Sequence, residues 1–212
     1  MDCLINANNL RETATEALES RPLEDGQVRL RLDRFGLSAN NITYAVMGDL
    51  MRYWDFFPYE GALGDHWRRM PVWGFATATE SLSDAVTVGE RVFGYFPWST
   101  ELIVTPGRSD ETGFSDMAEH RASLPHVYNR YVRNATDPLY TEAGEELLML
   151  LRPLFTTSFV VVDFFIDNDR FGAETAIVSS ASSKTAIGSA YLLAELEGLE
   201  VIGLTSPGNV EF

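Results

Sequence analysis

The chain has 212 residues, 45% of them hydrophobic and 12% aromatic, and a formal charge of −15. Those are globular proportions, enough for one large core or two modest ones. The negative charge argues against non-specific nucleic-acid binding and against anionic membranes, and the single cysteine, Cys3, excludes an internal disulfide and a cysteine cluster for zinc.

No run reaches the roughly eighteen apolar residues of a membrane span. The start, Met1-Asp-Cys-Leu-Ile-Asn-Ala7, lacks the basic opening and long apolar stretch of a signal peptide. The expectation is a soluble cytoplasmic protein.

Asn9 to Ser20 reads as a short amphipathic helix or a loosely held leader. Gln27-Val-Arg-Leu-Arg-Leu-Asp-Arg34 alternates apolar and charged residues, the pattern of a half-buried strand. Phe35 to Tyr44 predicts a turn and the start of a short helix. Met51 to Trp67 is an aromatic-rich loop. Val72 to Thr79 and Glu101 to Thr105 are further strands, and Val88 to Phe96 begins at a turn and becomes another. Short strands at this spacing, with glycines between, suggest a small barrel. Glu142 to Phe155 is helical, with Leu147, Leu148, Leu151, Leu154 and Phe155 at core spacing. Pro153 is expected to end that helix or start the next. Thr156 to Phe165 is apolar enough for a buried helix, and Asp167 to Gly172 is a turn. A boundary near residue 140 divides the chain into domains 1–140 and 141–212.

The last forty residues carry the clearest motif. Ala176-Ile-Val-Ser-Ser-Ala-Ser-Ser-Lys-Thr-Ala-Ile-Gly-Ser-Ala190 reads as a strand, a small-residue turn and a helix start, and Glu200 to Thr205 is a second strand. Such a unit holds the diphosphate of a dinucleotide. Lys184, in the turn, is the only lysine of the chain. The G-x-G-x-x-G fingerprint falls on Ser183, Thr185 and Gly188, so only its last glycine is present. The cofactor-binding candidates in the turn are Ser182, Ser183, Lys184, Thr185, Ala186, Ile187 and Gly188. Ser183 and Thr185 either bond a phosphate beside the free N–H groups of the helix start or simply cap the helix. A P-loop fits worse, because Ser-Lys-Thr has no glycine at either required place.

Four segments, in order, resemble the medium-chain dehydrogenase/reductase superfamily. Gln27 to Leu37 is similar to its first long strand and Gly-Leu turn, and Val88-Gly-Glu-Arg-Val-Phe-Gly94 to its Val-Gly-Asp-Arg-Val element. Gly172-Ala-Glu-Thr-Ala-Ile-Val178 resembles its entry strand, and Ser189 to Gly203 its following helix and second strand. The run Ala39 to Asp49, with Arg52-Tyr-Trp-Asp-Phe-Phe-Pro58, looks like a domain-of-unknown-function branch of the zinc-free, quinone-reductase-like group. The resemblance covers residues 21 to 212. It implies an α/β fold with a β-barrel: a GroES-like catalytic domain, then the first half of a Rossmann-type nucleotide-binding domain.

The resemblance also implies a function: an NADP-dependent, zinc-independent oxidoreductase that passes hydride to a carbonyl, enone or quinone. Where zinc-binding relatives carry a cysteine and a Gly-His-Glu, this chain has Ser38 and Gly74-Phe75-Ala76. His66, His120 and His126 do not match a ligand pattern, so no metal is expected. No carboxylate follows the second strand to select a ribose hydroxyl. Thr205, Ser206 and Asn209 are therefore candidates for a 2′-phosphate, and NADPH is favoured over NADH. Asn40, Asn41 and Tyr44 fall where relatives face the nicotinamide, and are the catalytic candidates. Asparagines also form turns, and the tyrosine also packs. Thr157, with Ser158, falls near the nicotinamide in relatives, although helix carbonyls would satisfy the same hydroxyls. Tyr53, Trp54, Phe56, Phe57 and Trp67 line an apolar pocket or belong to the core. His66 with Arg68 and Arg69 attracts an anion or is a solvated loop. Relatives have six parallel strands where this chain has two. The sequence is then a fragment, or a homo-oligomer or other partner covers the strand edges. The rival reading is a binding module that kept the fold and lost catalysis.

Overall fold

The structure is a computed structural model and describes residues 1–17 and 20–210. Leu18 and Glu19, near the end of the segment read as a leader, and the terminal Glu211 and Phe212 lie outside the described residues. The chain divides into two compact units, Met1–Met149 and Leu150–Phe212.

The regular structure of the first unit is mainly antiparallel sheet. A small sheet joins β1 (Asp2–Asn6), β2 (Asn9–Glu16) and β4 (Trp67–Arg69) in the order β2-β1-β4. The large sheet contains β3 (Val28–Gly36), β5 (Pro71–Ser81), β6 (Arg91–Pro97), β7 (Glu101–Val104), β8 (Pro106–Asp110), β9 (Gly113–Asp116) and β10 (Arg130–Arg133). Its order is β7-β3-β5-β6-β10-β9-β8. Val28 and Leu30 of β3 are buried while Arg31 and Asp33 face water, so the alternation predicts both the strand and its inner face. Val104 of edge strand β7 shares one core with Phe114 of β9, near the far end of the strand order. A sheet whose distant strands share a core is curled, and this curl is the expected barrel.

Three sequence expectations are corrected. Asn9 to Glu16 is strand rather than helix: Ile5 faces Thr13 and Asp2 faces Glu16 across the β1–β2 ladder. Pairing with an adjacent strand outweighs the weak amphipathic pattern, and Thr13 and Thr15 are β-branched. Pro153 neither ends nor starts a helix. One helix, α2 (Glu145–Asp167), runs through it. Just after the proline, Thr156 Oγ1 donates to the Arg152 carbonyl (2.8 Å) and Thr157 Oγ1 to the Pro153 carbonyl (3.1 Å). Finally, Thr156 to Phe165 is helical but largely open to solvent. Ser158 and Val162, four residues apart on one stripe, are its buried residues, whereas Phe159, Val160, Val161 and Phe164 are exposed. Within the 26 residues from Glu142 to Asp167 an 18-residue window reaches a mean hydropathy of 1.7, and this helix is, by length and composition only, able to cross a membrane. The apolar run is broken by Arg152, by Thr156 to Ser158 and by Asp163.

In the second unit β11 (Thr175–Ser179) and β12 (Glu200–Leu204) pair in parallel, Thr175 with Glu200 through Ser179 with Leu204. Helix α3 (Lys184–Ala194) connects them, giving the strand, turn, helix and strand read from the sequence. In the first unit a two-turn helix, α1 (Ala39–Val46), follows β3.

Candidate functional site

The turn after β11 is shaped by hydrogen bonds among its own small residues. Ser180 has a positive φ of 51°, and its carbonyl accepts from Ser183 N at 2.8 Å. Ala181 N donates to the Leu204 carbonyl (3.0 Å), which ties the turn to the end of β12. Ser183 is the N-cap of α3, its Oγ accepting from Ala186 N at 3.3 Å. The hydroxyl of Ser183 thus caps the helix in this structure. The amides of Lys184 and Thr185 stand at the first two helical positions, where a helix has no internal acceptor for them. Lys184 itself is exposed.

Three candidates meet across the turn. Ser182 Oγ lies 3.1 Å from Thr205 Oγ1, and Asn209 Nδ2 donates to Ser182 Oγ at 3.1 Å. They join the strand-end segment to the mouth of the helix. Ser206 is exposed beside them. No carboxylate stands between Val201 and Asn209. Ala186 and Gly188 are on the buried face of α3, and Ile187 is on its open side.

Gly188 shows what the surviving glycine of the fingerprint is for. A Cβ there would lie 2.8 Å from Ser158 Oγ, 3.2 Å from Ser158 Cβ and 3.3 Å from Phe155 Cδ2. The close approach is therefore to helix α2, not to a strand. Ser158 is fully buried, and its Oγ lies 2.7 Å from the Thr185 carbonyl and 3.1 Å from that of Leu154. Thr157, one residue earlier, is exposed, with its hydroxyl on its own helix.

The catalytic candidates lie in the first unit. Ser38 caps α1 and forms a reciprocal box with Asn41: Ser38 N donates to Asn41 Oδ1 (2.7 Å). Asn41 Nδ2 donates to the Pro71 carbonyl (2.9 Å), so this side chain clamps α1 to β5. Asn40 is half-buried. Tyr44 is 9% exposed, and its oxygen accepts from Trp73 Nε1 at 3.0 Å. Burial pushes its phenol up from the ordinary value, which favours the protonated form.

Tyr44 belongs to an aromatic cluster that the sequence reading did not assemble. Tyr53 is 4.8 Å from it, ring to ring, and Tyr95 5.6 Å. Tyr128 lies 4.8 Å from Tyr95, and its hydroxyl is 3.3 Å from that of Tyr53. Burial raises the phenols of Tyr95 and Tyr128 too. Tyr53, Trp54, Phe56 and Phe57 are core residues here, and Trp67 is half-buried on β4. Tyr95 and Tyr128 carried no local signal, since they enter from β6 and from a loop far along the chain.

A second feature the sequence hid is the anchor of α2. Glu145, at its first turn, is buried and takes a bidentate pair from Arg91, Nε to Oε1 at 2.8 Å and Nη2 to Oε2 at 3.0 Å. Tyr140 Oη donates to the same carboxylate (3.0 Å), and Arg34 lies 3.4 Å away. Burial alone would raise this carboxyl, but Arg91 and Tyr140 hold it below its usual range. Among the described residues no three His, Cys, Asp or Glu side chains come together as a metal site. His120 Nε2 is 3.3 Å from the Phe56 carbonyl, and His66 lies against Trp67.

The fold is shared with several solved structures. CurA from Vibrio vulnificus in complex with NADPH is 13% identical, with a TM-score of 0.53 over 95% of this chain and 49% of that one. The apo form of JamJ enoyl reductase is 14% identical, with a TM-score of 0.54 over 100% of this chain and 56% of that one. The human synaptic vesicle membrane protein VAT-1 homolog-like protein is 16% identical, with a TM-score of 0.54 over 99% of this chain and 57% of that one. The chain thus spans about half the length of these structures. At such identities the fold is what is shared: a GroES-like barrel followed by part of a Rossmann-type fold. No curated protein matches the sequence. Residues 35–212 match the family described as protein of unknown function (DUF2855), and the chain belongs to that family.

Proposed function

We propose that this chain binds NADPH through the turn between β11 and α3, and is part of a zinc-independent oxidoreductase of the quinone-reductase-like type. The observation that carries the reading is the turn itself. It offers two helix-start amides without an acceptor among the described residues, the lone lysine beside them, and the Ser182–Thr205–Asn209 contact at the end of β12. That is the chemistry a diphosphate and a 2′-phosphate require. Similar structures include an NADPH complex and an enoyl reductase, which supports the same choice of cofactor. When bound, the nicotinamide supplies the hydride, and the protein's part is to hold it against an acceptor and exclude water. The acceptor is a small carbonyl, enone or quinone compound. Asn40 and Tyr44 are the proposed polar contacts of the barrel, with Tyr44 kept protonated by burial. Asn41 supports them by fixing α1 on β5.

A second reading, a nucleotide-binding or partner-binding module without catalysis, is favoured by one observation. The hydroxyls nearest the phosphate position are already engaged: Ser183 caps α3, and Ser182 meets Thr205 and Asn209. The test is a titration of NADPH and NADH into the purified protein, followed by nicotinamide fluorescence. The proposal expects saturable binding that prefers NADPH. Lys184→Ala should weaken it about fivefold, the loss of one exposed charge contact worth about 1 kcal/mol. Unchanged affinity in Lys184→Ala removes the turn from the site. Binding with no NADPH oxidation by any quinone or enone acceptor leaves the second reading.

A further inference from the structure

Helix α2 carries an apolar face in the second unit that stays open to solvent. Thr157, Val160, Val161 and Phe164 recur at i, i+3, i+4 and i+7, the spacing of one helix face. Thr157 is exposed, as are Val160 (58%), Val161 (55%) and Phe164 (60%). Phe171, 66% exposed, extends the face, its ring 5.8 Å from that of Phe164. The buried stripe of the helix is a different one, Ser158 and Val162, with Ser158 against Gly188 of α3.

The chemistry of this face suits another protein surface rather than lipid. Thr157 Oγ1 already donates to the Pro153 carbonyl (3.1 Å), so covering this side chain strands no hydroxyl. No charged residue stands on the face. Arg152, Thr156, Asp163 and Asp167 form a separate polar stripe on the same helix, which opposes a helix surrounded by lipid. A helix that lies on a membrane has a basic polar side, whereas Asp163, Asp167 and Asp169 make this end acidic. The size also fits. Taking about 200 Å² for a whole phenylalanine, Phe164 and Phe171 expose about 250 Å², and the two valines bring the apolar total to roughly 400 Å². Each side of a standard interface buries about 800 Å², a little over half of it apolar.

We propose that this face is the contact between two copies of this chain, paired antiparallel through α2 about Val160 and Val161. A two-fold axis between these residues sets Val160 against the partner's Val161. It sets Thr157 against the partner's Phe164, a small side chain facing a large one at both ends of the seam. The face is thus complementary to itself, and no like charges meet along it. The repulsion between two copies comes from charge elsewhere, −15 on each, and salt screens it. The seam shares no residue with the turn that would hold NADPH.

The test is sedimentation velocity of the purified chain from roughly 1 to 200 µM, at low and high salt. The expected result is a monomer–dimer equilibrium with a Kd of about 10 µM or tighter, tightening as salt is raised. Val160→Lys and Val161→Glu, both at exposed positions, should each hold the melting temperature and weaken the dimer at least about tenfold. Mixed in equal amounts, the two variants should associate again, because the antiparallel register brings the new amine of one against the new carboxylate of the other. A chain that stays monomeric to about 200 µM overturns the proposal. So does a dimer that neither substitution weakens, or a mixture no more associated than the variants apart. Flotation of the protein with neutral phosphatidylcholine vesicles, abolished by Val160→Lys, would make lipid the occupant and overturn it equally.

Discussion

Replacing Gly188 by alanine tests the contact that holds α3 on α2. The new methyl would lie 2.8 Å from Ser158 Oγ, closer than real Cβ contacts allow. Ser158 is fully buried and cannot swing away without losing its approach to the Thr185 carbonyl. Overpacking of this kind costs about 1–3 kcal/mol, while alanine in a helix interior returns about 1 kcal/mol relative to glycine. The single substitution should therefore destabilise α3 by about 1 kcal/mol net, the difference between those two terms. Ser158→Ala alone should cost about 1 kcal/mol for its hydrogen bond. Together they should be less harmful than their sum. With Oγ gone, the remaining neighbours stand at 3.2 and 3.3 Å and need to yield only slightly. A coupling of about 1–2 kcal/mol is expected from the double-mutant cycle. All four tryptophans, Trp54, Trp67, Trp73 and Trp98, lie in the first unit and none in the second. Amide hydrogen exchange along α3 is the suitable assay. Strictly additive costs, or a Gly188→Ala protein more stable by the full propensity gain, would refute the contact as the reason for this glycine.

Glu145→Gln should destabilise the first unit by about 2–4 kcal/mol in urea unfolding. The lower end reflects Arg91, which is a quarter exposed and keeps its bond to Asp33. The carboxyls of Glu145 and Asp33 are both held below their ordinary values in the folded protein, against the opposing effect of burial. A depressed carboxyl contributes stability that is full above the unfolded values, about 4.3 and 3.9, and is lost as pH falls through the folded ones. Melting temperature should therefore drop with acidification below about pH 4, and Glu145→Gln should flatten that limb. Gly113→Ala should cost about 3 kcal/mol, since its Cβ would stand 2.0 Å from the Tyr131 carbonyl oxygen, a backbone atom that cannot yield. A soluble, unchanged melting curve would contradict the β9–β10 register. In native-state exchange, β5 and β6 amides should outlast those of β11 and β12. A saturating 100-fold excess of NADPH over its Kd should slow exchange in residues 182–188 by about 2.7 kcal/mol equivalent.

What could be read from the sequence divides along physical lines. Strict alternation from Val28 to Arg34 predicted β3 and its inner face, because one buried face fixes register. The strand, turn, helix and strand at the end of the chain were legible because small residues and a Gly188 at fixed spacing write the turn locally. β1, β2, β4 and β8 to β10 were not, since their pairing depends on partners elsewhere in the chain. The Asn41 capping box with Ser38 could have been read from the Ser-x-x-Asn spacing, a near variant of the usual motif. The Arg91–Glu145 pair and the Arg121–Asp116 pair could not. The first pair spans 54 residues of sequence, and no composition rule marks which arginine of fifteen is buried.

The two units differ in how far they satisfy themselves. The first curls its sheet and packs three clusters of buried side chains, and its polar side chains take separate structural parts: Asn41 as a clamp, Glu145 as an anchor. The second offers a parallel pair of strands, a class of sheet that is stable when covered on both faces. Here Ile177, Ile202 and Leu204 are open, and so are Phe159, Val160 and Phe164 on α2. The contact of Ser158 and Gly188 packs α3 on α2, and it orders the helix start rather than the strands. A diphosphate on the amides of Lys184 and Thr185 would add its energy at that same helix start. A ligand on the proposed site would thus couple binding to order: it would add stability to a unit whose helix α3 buries three residues while its two strands bury none.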